Sequence, residues 1–322
     1  MKRYLACLTL LAALPLSGAA ADFPLTVTSC NRTVTFEHSP QRAVSHDVNM
    51  TAMLLALGLR ERMVGYTGIT GWKTIDPALR TMLDGLPELA ARYPSLENLL
   101  EVDTDLFFAG WSYGMHVGGP VTPQTLAPFG IPVYELSESC SRIMAQREAS
   151  LEDLYTDLSN LGRIFDVEAR ASTLVAGLKD RVSKVQNRLE HLDQRPRVFL
   201  YDSGEDRPTT SGRLGMPQAL IDAAGGQNIM ADVAASWTQI NWESMVERNP
   251  QVIVIVDYGP TSWQQKRDFL LQHPALGSVD AIRNQRFVVL SYLAATPSLD
   301  NAEAIETLAK ALHPQLFAGG TP

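Results

Sequence analysis

The chain states one helix-to-strand phrase twice, and this repetition limits the possible fold more than any other feature. SLENLLEVDTDLFFAG occupies residues 95–110 and NWESMVERNPQVIVIVDYG occupies residues 241–259. Shifted by 146 positions (243 − 97), Glu97 falls on Glu243, Leu100 on Val246 and Glu101 on Glu247. The apolar run 106–109 then falls on 252–255. Two such phrases, each opening on a glutamate, imply two similar units built from helices and parallel strands.

The ends of the chain say where it works. Residues 1–21, MKRYLACLTLLAALPLSGAAA, have a basic start (Lys2, Arg3), an apolar run to Leu16, and small residues Ala19 and Ala21 before Asp22. That pattern reads as a secretory signal peptide. The apolar run of about 13 residues is short of the roughly 20 that a bilayer-spanning helix needs. Cys7 stands at the front of that run with no small-residue cleavage site before it, which favours soluble export over a lipid anchor. Removing the signal leaves 301 residues (322 − 21), enough for two core-forming units, and moves the formal charge from −8 to −10. An acidic chain does not suit nucleic acid, which calls for a basic face. The expected product is a monomer in the periplasm.

Two cysteines remain, Cys30 and Cys140. In an oxidising compartment an even count admits a disulfide tying the start of the mature chain to the end of its first half. The alternative is two buried free thiols, since bridging requires close Cα atoms that spacing does not supply.

Strands and helices alternate along the chain. Residues 26–36 read as a hairpin, 42–46 and 61–68 as short strands, and 49–59 as a helix. The first repeat gives helix 95–102 and strand 105–109, and strand 131–136 follows a helix stopped at Gly130. From Glu168 to about Leu192, apolar residues at 171, 174, 175, 178, 182, 185 and 189 define one amphipathic helix of about 24 residues and roughly 36 Å. A second series follows: strand 195–204, helix 214–226, the repeated helix and strand, strand 286–290, and helix 301–314. The fold class is α/β. An N-terminal lobe (22–165) and a C-terminal lobe (194–322), each with a central parallel sheet, are joined by a single interlobe helix (166–193).

Ligands of parallel sheets sit outside the carboxyl ends of the strands. Here those loops carry Tyr66, Trp72, Trp111, Tyr113, Trp237, Tyr258, Trp263 and Tyr292, including four of the five tryptophans. The fifth, Trp242, lies on the repeated helix. Any one of these could seal a strand end; together they suit a wide apolar cleft for a bulky ligand.

TVTFEHSPQRAVSHDVNMTAMLLALGL, PSLENLLEVDTDLFFAG, PTTSGRLGMPQALIDAAGGQNI and WTQINWESMVERNPQVIVI together resemble the periplasmic solute-binding proteins of ATP-driven importers for ferric siderophores, haem and vitamin B12. The resemblance covers most of residues 26–256. It implies that Glu97 and Glu243, one on each lobe, dock onto arginines of a dimeric inner-membrane permease. It also implies that Trp111 and Trp237 are aromatic cleft residues. Tyr66, Trp72, Tyr113, Tyr258 and Tyr292 join them from loop placement. Arg207 and Arg213, flanking PTTSG, are the candidates for pairing with an anionic ferric siderophore.

That siderophore is the expected ligand, with cobalamin or haem as alternatives. A haem would want a Tyr or His, for which Tyr66, His46, Tyr113 and His116 all qualify. Bare metal ranks lower. His46, Asp47 and His116 could converge, but the second lobe offers no matching His, and a transition-metal site wants three or four ligands. His191, His273 and His313 sit on helices or helix ends. No GxSxG elbow, HExxH or P-loop marks an enzyme, so no catalytic residue and no resident cofactor or metal is assigned. The rival from another class is a periplasmic enzyme acting on a siderophore.

Overall fold

The structure is a computed structural model that describes residues 22–73, 77–145 and 148–318. The signal-peptide reading of residues 1–21 falls outside the described residues. Each half of the chain forms a parallel sheet. In the first lobe Ala43–His46 lies between Met63–Thr67 and Leu106–Trp111, with Glu88–Ala90 beyond the former and Val133–Glu135 beyond the latter. In the second lobe Arg197–Tyr201 lies between Gln227–Asn228 and Val252–Asp257, and Phe287–Ser291 completes the edge. Four strands follow the same order in both, and the first lobe adds Glu88–Ala90 at one edge. The antiparallel hairpin Leu25–Ser29/Arg32–Phe36 precedes the first sheet, as its alternation predicts.

The repeat extends further than its apolar letters. Asp103 and Asn249, aligned at the 146 shift, are both left-handed (φ 45° and 42°), Asn249 as the cap of its helix and Asp103 in the turn that follows its helix. These are residue types that tolerate that region. Two residues on, the side chains of Asp105 and Gln251 take equivalent roles. Asp105 Oδ1 accepts the Arg42 amide at 2.8 Å, and Gln251 Oε1 accepts the Arg197 amide at 3.0 Å. The arginines answer in kind: Arg42 Nε donates to the Asp103 carbonyl at 3.2 Å, and Arg197 Nε to the Asn249 carbonyl at 2.9 Å. The same device fixes the register of the two central strands in each lobe.

The strands divide their side chains between two cores. Val252, Val254 and Val256 enter a core shared by both lobes, whereas Ile253 and Ile255 enter one confined to the second lobe. In the first lobe Leu106 and Phe108 face the shared core, and Phe107, Ala109 and Trp111 face a separate outer one. Each sheet is therefore covered on both faces, which explains its continuous apolar runs.

The interlobe helix is Glu168–Arg188, 21 residues and about 32 Å long, somewhat shorter than the sequence suggests. Its buried positions Ala171, Leu178, Val182 and Val185 are those expected of its apolar stripe. A separate helix, Leu151–Ile164, capped by Ser150, runs before it and packs along it. Arg170 Nε near the start of the interlobe helix holds the Ala56 carbonyl of the first lobe at 2.8 Å. Arg181 meets Glu306 of the Asn301–Leu312 helix in the second lobe at 2.8 Å. The link is thus packed against both lobes and continuous with the shared core. Cys30 and Cys140 are bridged, with Cα atoms 5.3 Å apart, closing a sequence separation of 110.

Candidate interlobe ligand site

The carboxyl ends of the strands in the two lobes face one another, and their side chains meet in two groups. At one end Asp47, in the left-handed region (φ 67°), starts the Asp47–Ala56 helix and accepts the Val48 amide on its own Oδ1. Its carboxylate holds Lys73 Nζ at 2.8 Å and accepts the Tyr292 hydroxyl from the other lobe at 2.8 Å. Lys73 also lies over the Tyr292 ring, 4.3 Å from its centroid. Asn49 Nδ2 donates to the Pro297 carbonyl at 3.1 Å beside them. The Tyr292 ring meets Tyr258 at 5.3 Å, and Tyr258 donates to Asp202 at 2.8 Å. Burial, then the neighbouring carboxylates Asp47 and Asp202 respectively, push both phenols above their ordinary range. Burial raises the Asp202 carboxyl and lowers the Lys266 ammonium, whose Nζ donates to the Asp202 and Val256 carbonyls at 2.7 and 2.6 Å.

At the other end the Trp237 indole N–H donates to the Tyr113 hydroxyl at 3.1 Å, one lobe to the other. Glu138 of the first lobe accepts the Met216 amide of the second at 3.1 Å. The first-lobe wall between the two ends is His46, Tyr93 and His116. His46 stacks on Tyr93 at 5.6 Å, and His116 meets Tyr93 edge-on at 5.7 Å. Gly68 and Gly114 close on the His46 imidazole; a Cβ at either would come within 2.2 or 2.6 Å of it. Burial pushes the imidazole down to about 4, so it stays neutral, bonded through Nδ1 to Thr67 Oγ1 at 2.8 Å.

Of the sequence candidates, Tyr113, Trp237, Tyr258 and Tyr292 are brought together here. Trp72 stands on the rim, 41 % exposed, with the Arg92 guanidinium over its ring at 4.2 Å. Its carbonyl lies beside Gly259 of the other lobe. Trp111 is a correction. It is buried in the outer core of the first lobe, with its indole N–H donating to Glu135 at 2.8 Å, because its strand runs two residues further than expected and carries it to the face of Phe107 and Ala109. Tyr66 is buried in the core shared by both lobes, where burial and then Glu88 raise its phenol, and it takes no part in the cross-lobe contacts above.

Arg213 turns outward to the Asp232 carbonyl at 3.2 Å, next to the Arg248–Asp232 ion pair. Arg207 is exposed in the loop after Arg197–Tyr201. Asp47, noted in the sequence only as a possible metal ligand, carries the central cross-lobe contact. Lys73, Tyr93, Glu138 and Arg142 were not foreseen, since no motif marks them. Among the described residues no three metal-ligating side chains converge.

Glu97 and Glu243 take equivalent places on the two lobes. Each is the second residue of a short helix, after Ser95 in Leu96–Leu100 and after Asn241 in Trp242–Arg248. The Ser95 and Asn241 side chains accept the amides of Asn98 and Ser244. Both glutamates are exposed. The hydrogen bond from Ser95 and the local backbone hold the Glu97 carboxyl below its usual range.

Comparison with known proteins agrees with this architecture. A periplasmic binding protein from Veillonella parvula superposes with a TM-score of 0.78 at 26 % identity, over 92 % of this chain and 99 % of that one. An uncharacterized ABC transporter substrate-binding lipoprotein of Bacillus subtilis is 23 % identical over 299 residues, 92 % of this chain and 87 % of that one. A vitamin B12-binding protein of Pectobacterium atrosepticum is 24 % identical over 227 residues, 67 % of this chain and 71 % of that one. The periplasmic binding protein family model matches residues 44–292, from the first central strand to the tyrosine that bridges the cleft, and the chain belongs to that family.

Proposed function

We propose that the protein is the periplasmic ligand-binding component of an ATP-driven importer and that its interlobe cleft takes an anionic ferric siderophore. The observation that carries the ligand class is charge at an aromatic cleft. Arg142 is exposed, makes no hydrogen bond or ion pair to a described residue, and stands close enough for its charge to bear on Tyr93 and Tyr113. Arg207, also exposed and unpaired among the described residues, follows a central strand of the opposite lobe. The acids of the cross-lobe contacts do not offset Arg142, whereas Glu205 and Asp206 are exposed beside Arg207. Asp47 is already neutralised by Lys73, and burial disfavours the charged forms of Glu138 and Asp202. Tyr93, Tyr113, Trp237, Tyr258 and Tyr292 supply broad, rigid surface for the body of a chelate.

Glu97 and Glu243 are the docking points for a dimeric permease. Two exposed, equivalently capped carboxylates, one per lobe, match a partner with a basic group on each subunit, and contacts of this kind set orientation and on-rate. Cobalamin is the second reading, favoured by the name of the Pectobacterium relative. Alanine at both Arg142 and Arg207 separates the two. It weakens a ferric siderophore tenfold or more, with a shallower salt dependence, and leaves cyanocobalamin untouched. Equal siderophore affinity in the variant overturns the anionic-ligand reading.

A further inference from the structure

The Met216–Ala223 helix of the second lobe starts at Gly215, which has no side chain to cap it. It cannot easily gain one, because a Cβ at Gly215 would lie 2.4 Å from Ser211 Oγ. Its cap comes from the first lobe instead. Glu138 Oε1 accepts the Met216 amide at 3.1 Å and the Ser236 hydroxyl at 3.3 Å, both across the interface. Oε2 is buried and, among the described residues, has no hydrogen-bond partner. The Ser137–Arg142 turn that carries Glu138 is fixed to its own lobe. Cys140 is bridged to Cys30, and Ser139 Oγ accepts the Trp111 amide at 2.9 Å. If the second lobe swings away, the turn stays behind and the carboxyl meets water.

We propose that Glu138 is a proton-linked latch between the lobes: closing the cleft takes up a proton at this carboxyl, and opening it releases one. A buried carboxyl with an unpartnered oxygen cannot easily hold a full charge. The groups facing it are divided. Burial raises its pKa, and so does Asp153 on the adjoining Leu151–Ile164 helix. The Met216 amide and the Ser236 hydroxyl of the second lobe lower it, as does Arg142 of its own turn. The Tyr113 phenol lies close by, and Glu148 shares with Glu138 a cavity of about 220 Å³.

The balance pushes the carboxyl up to about 7 in the closed cleft, against an ordinary value of 4.5. The closed form therefore binds more protons between those values. Its advantage is full below pH 4.5 and is lost as pH rises through about 7. A shift of that size corresponds to on the order of 100-fold in the open–closed equilibrium.

The latch does not depend on the identity of the ligand, so its test uses the ligand-free full chain. Spin labels at Glu101→Cys and Glu247→Cys, both exposed on the repeated helices, report the interlobe distance between pH 5 and 8.5. The wild-type background shifts toward the longer distance as pH rises through about 7. In Glu138→Gln, which keeps an oxygen acceptor but cannot titrate, the distribution is flat with pH. Ser236→Ala removes a bond that favours the anion and moves the transition to higher pH. A wild-type distribution that does not change with pH overturns the proposal, and so does a Glu138→Gln profile that follows the wild type.

Discussion

Serine at both Cys30 and Cys140 removes the bridge with little change in volume, and its cost follows from the length of chain it closes. The bridge spans a separation of 110 residues. The chain-entropy relation for a loop of that length gives about 5 kcal/mol at 25 °C through the unfolded state. The native state loses little, because polar contacts still hold the hairpin to the first sheet. Ser29 Oγ donates to Glu135 at 2.9 Å, and Arg32 meets the same carboxylate at 2.6 Å. Most of the entropic term therefore appears as lost stability, about 3 to 5 kcal/mol. Urea unfolding followed by far-ultraviolet circular dichroism, oxidised wild type against the double serine variant, measures it as a lower midpoint at a similar slope. A loss below about 1 kcal/mol would refute the reasoning, since it would mean the unfolded chain is already constrained near the bridge.

Three other outcomes follow from the same geometry. Glu97→Ala with Glu243→Ala leaves ligand affinity intact and abolishes transport; a loss of affinity would remove the docking assignment. The His46 imidazole, read by NMR, titrates near 4 rather than 6.5. Because this pKa is depressed in the folded state, the associated stability, about 3 kcal/mol, is present above pH 6.5 and lost as pH falls through 4, and a midpoint above 6 contradicts the burial argument. Liganded and ligand-free scattering profiles differ only slightly, because the interlobe helix shares one core with both sheets; a large compaction would show that the link bends.

The sequence made the fold legible because each lobe repeats its grammar. The 146 shift predicted two parallel units, and the structure adds Asp103/Asn249 and Asp105/Gln251 to the aligned pairs. The interlobe helix was legible from its stripe. The cleft was only half legible. Placement after a strand brought Tyr113, Tyr258 and Tyr292 to the interface; the resemblance added Trp237, which begins the short strand Trp237–Gln239, but misplaced Trp111. Continuing the alternation of Phe107 and Ala109 by one more step would have put that indole on the outer face. Asp47, Lys73 and Glu138 are paired by contacts across 245, 26 and 78 positions of chain, a proximity that no local pattern encodes.

The central claim is that the interlobe cleft binds a ferric siderophore against aromatic walls. A tryptophan-fluorescence titration of the mature protein against ferric siderophores, cyanocobalamin and haemin tests it, with Trp237→Phe and Trp111→Phe run alongside. A ferric siderophore should quench saturably at micromolar concentration or below. The quench should shrink in Trp237→Phe, whose indole bridges the lobes, and persist in Trp111→Phe, whose indole is buried in the first-lobe core. Saturable quenching by cyanocobalamin or haemin alone, or a siderophore quench unchanged in Trp237→Phe, would contradict the account.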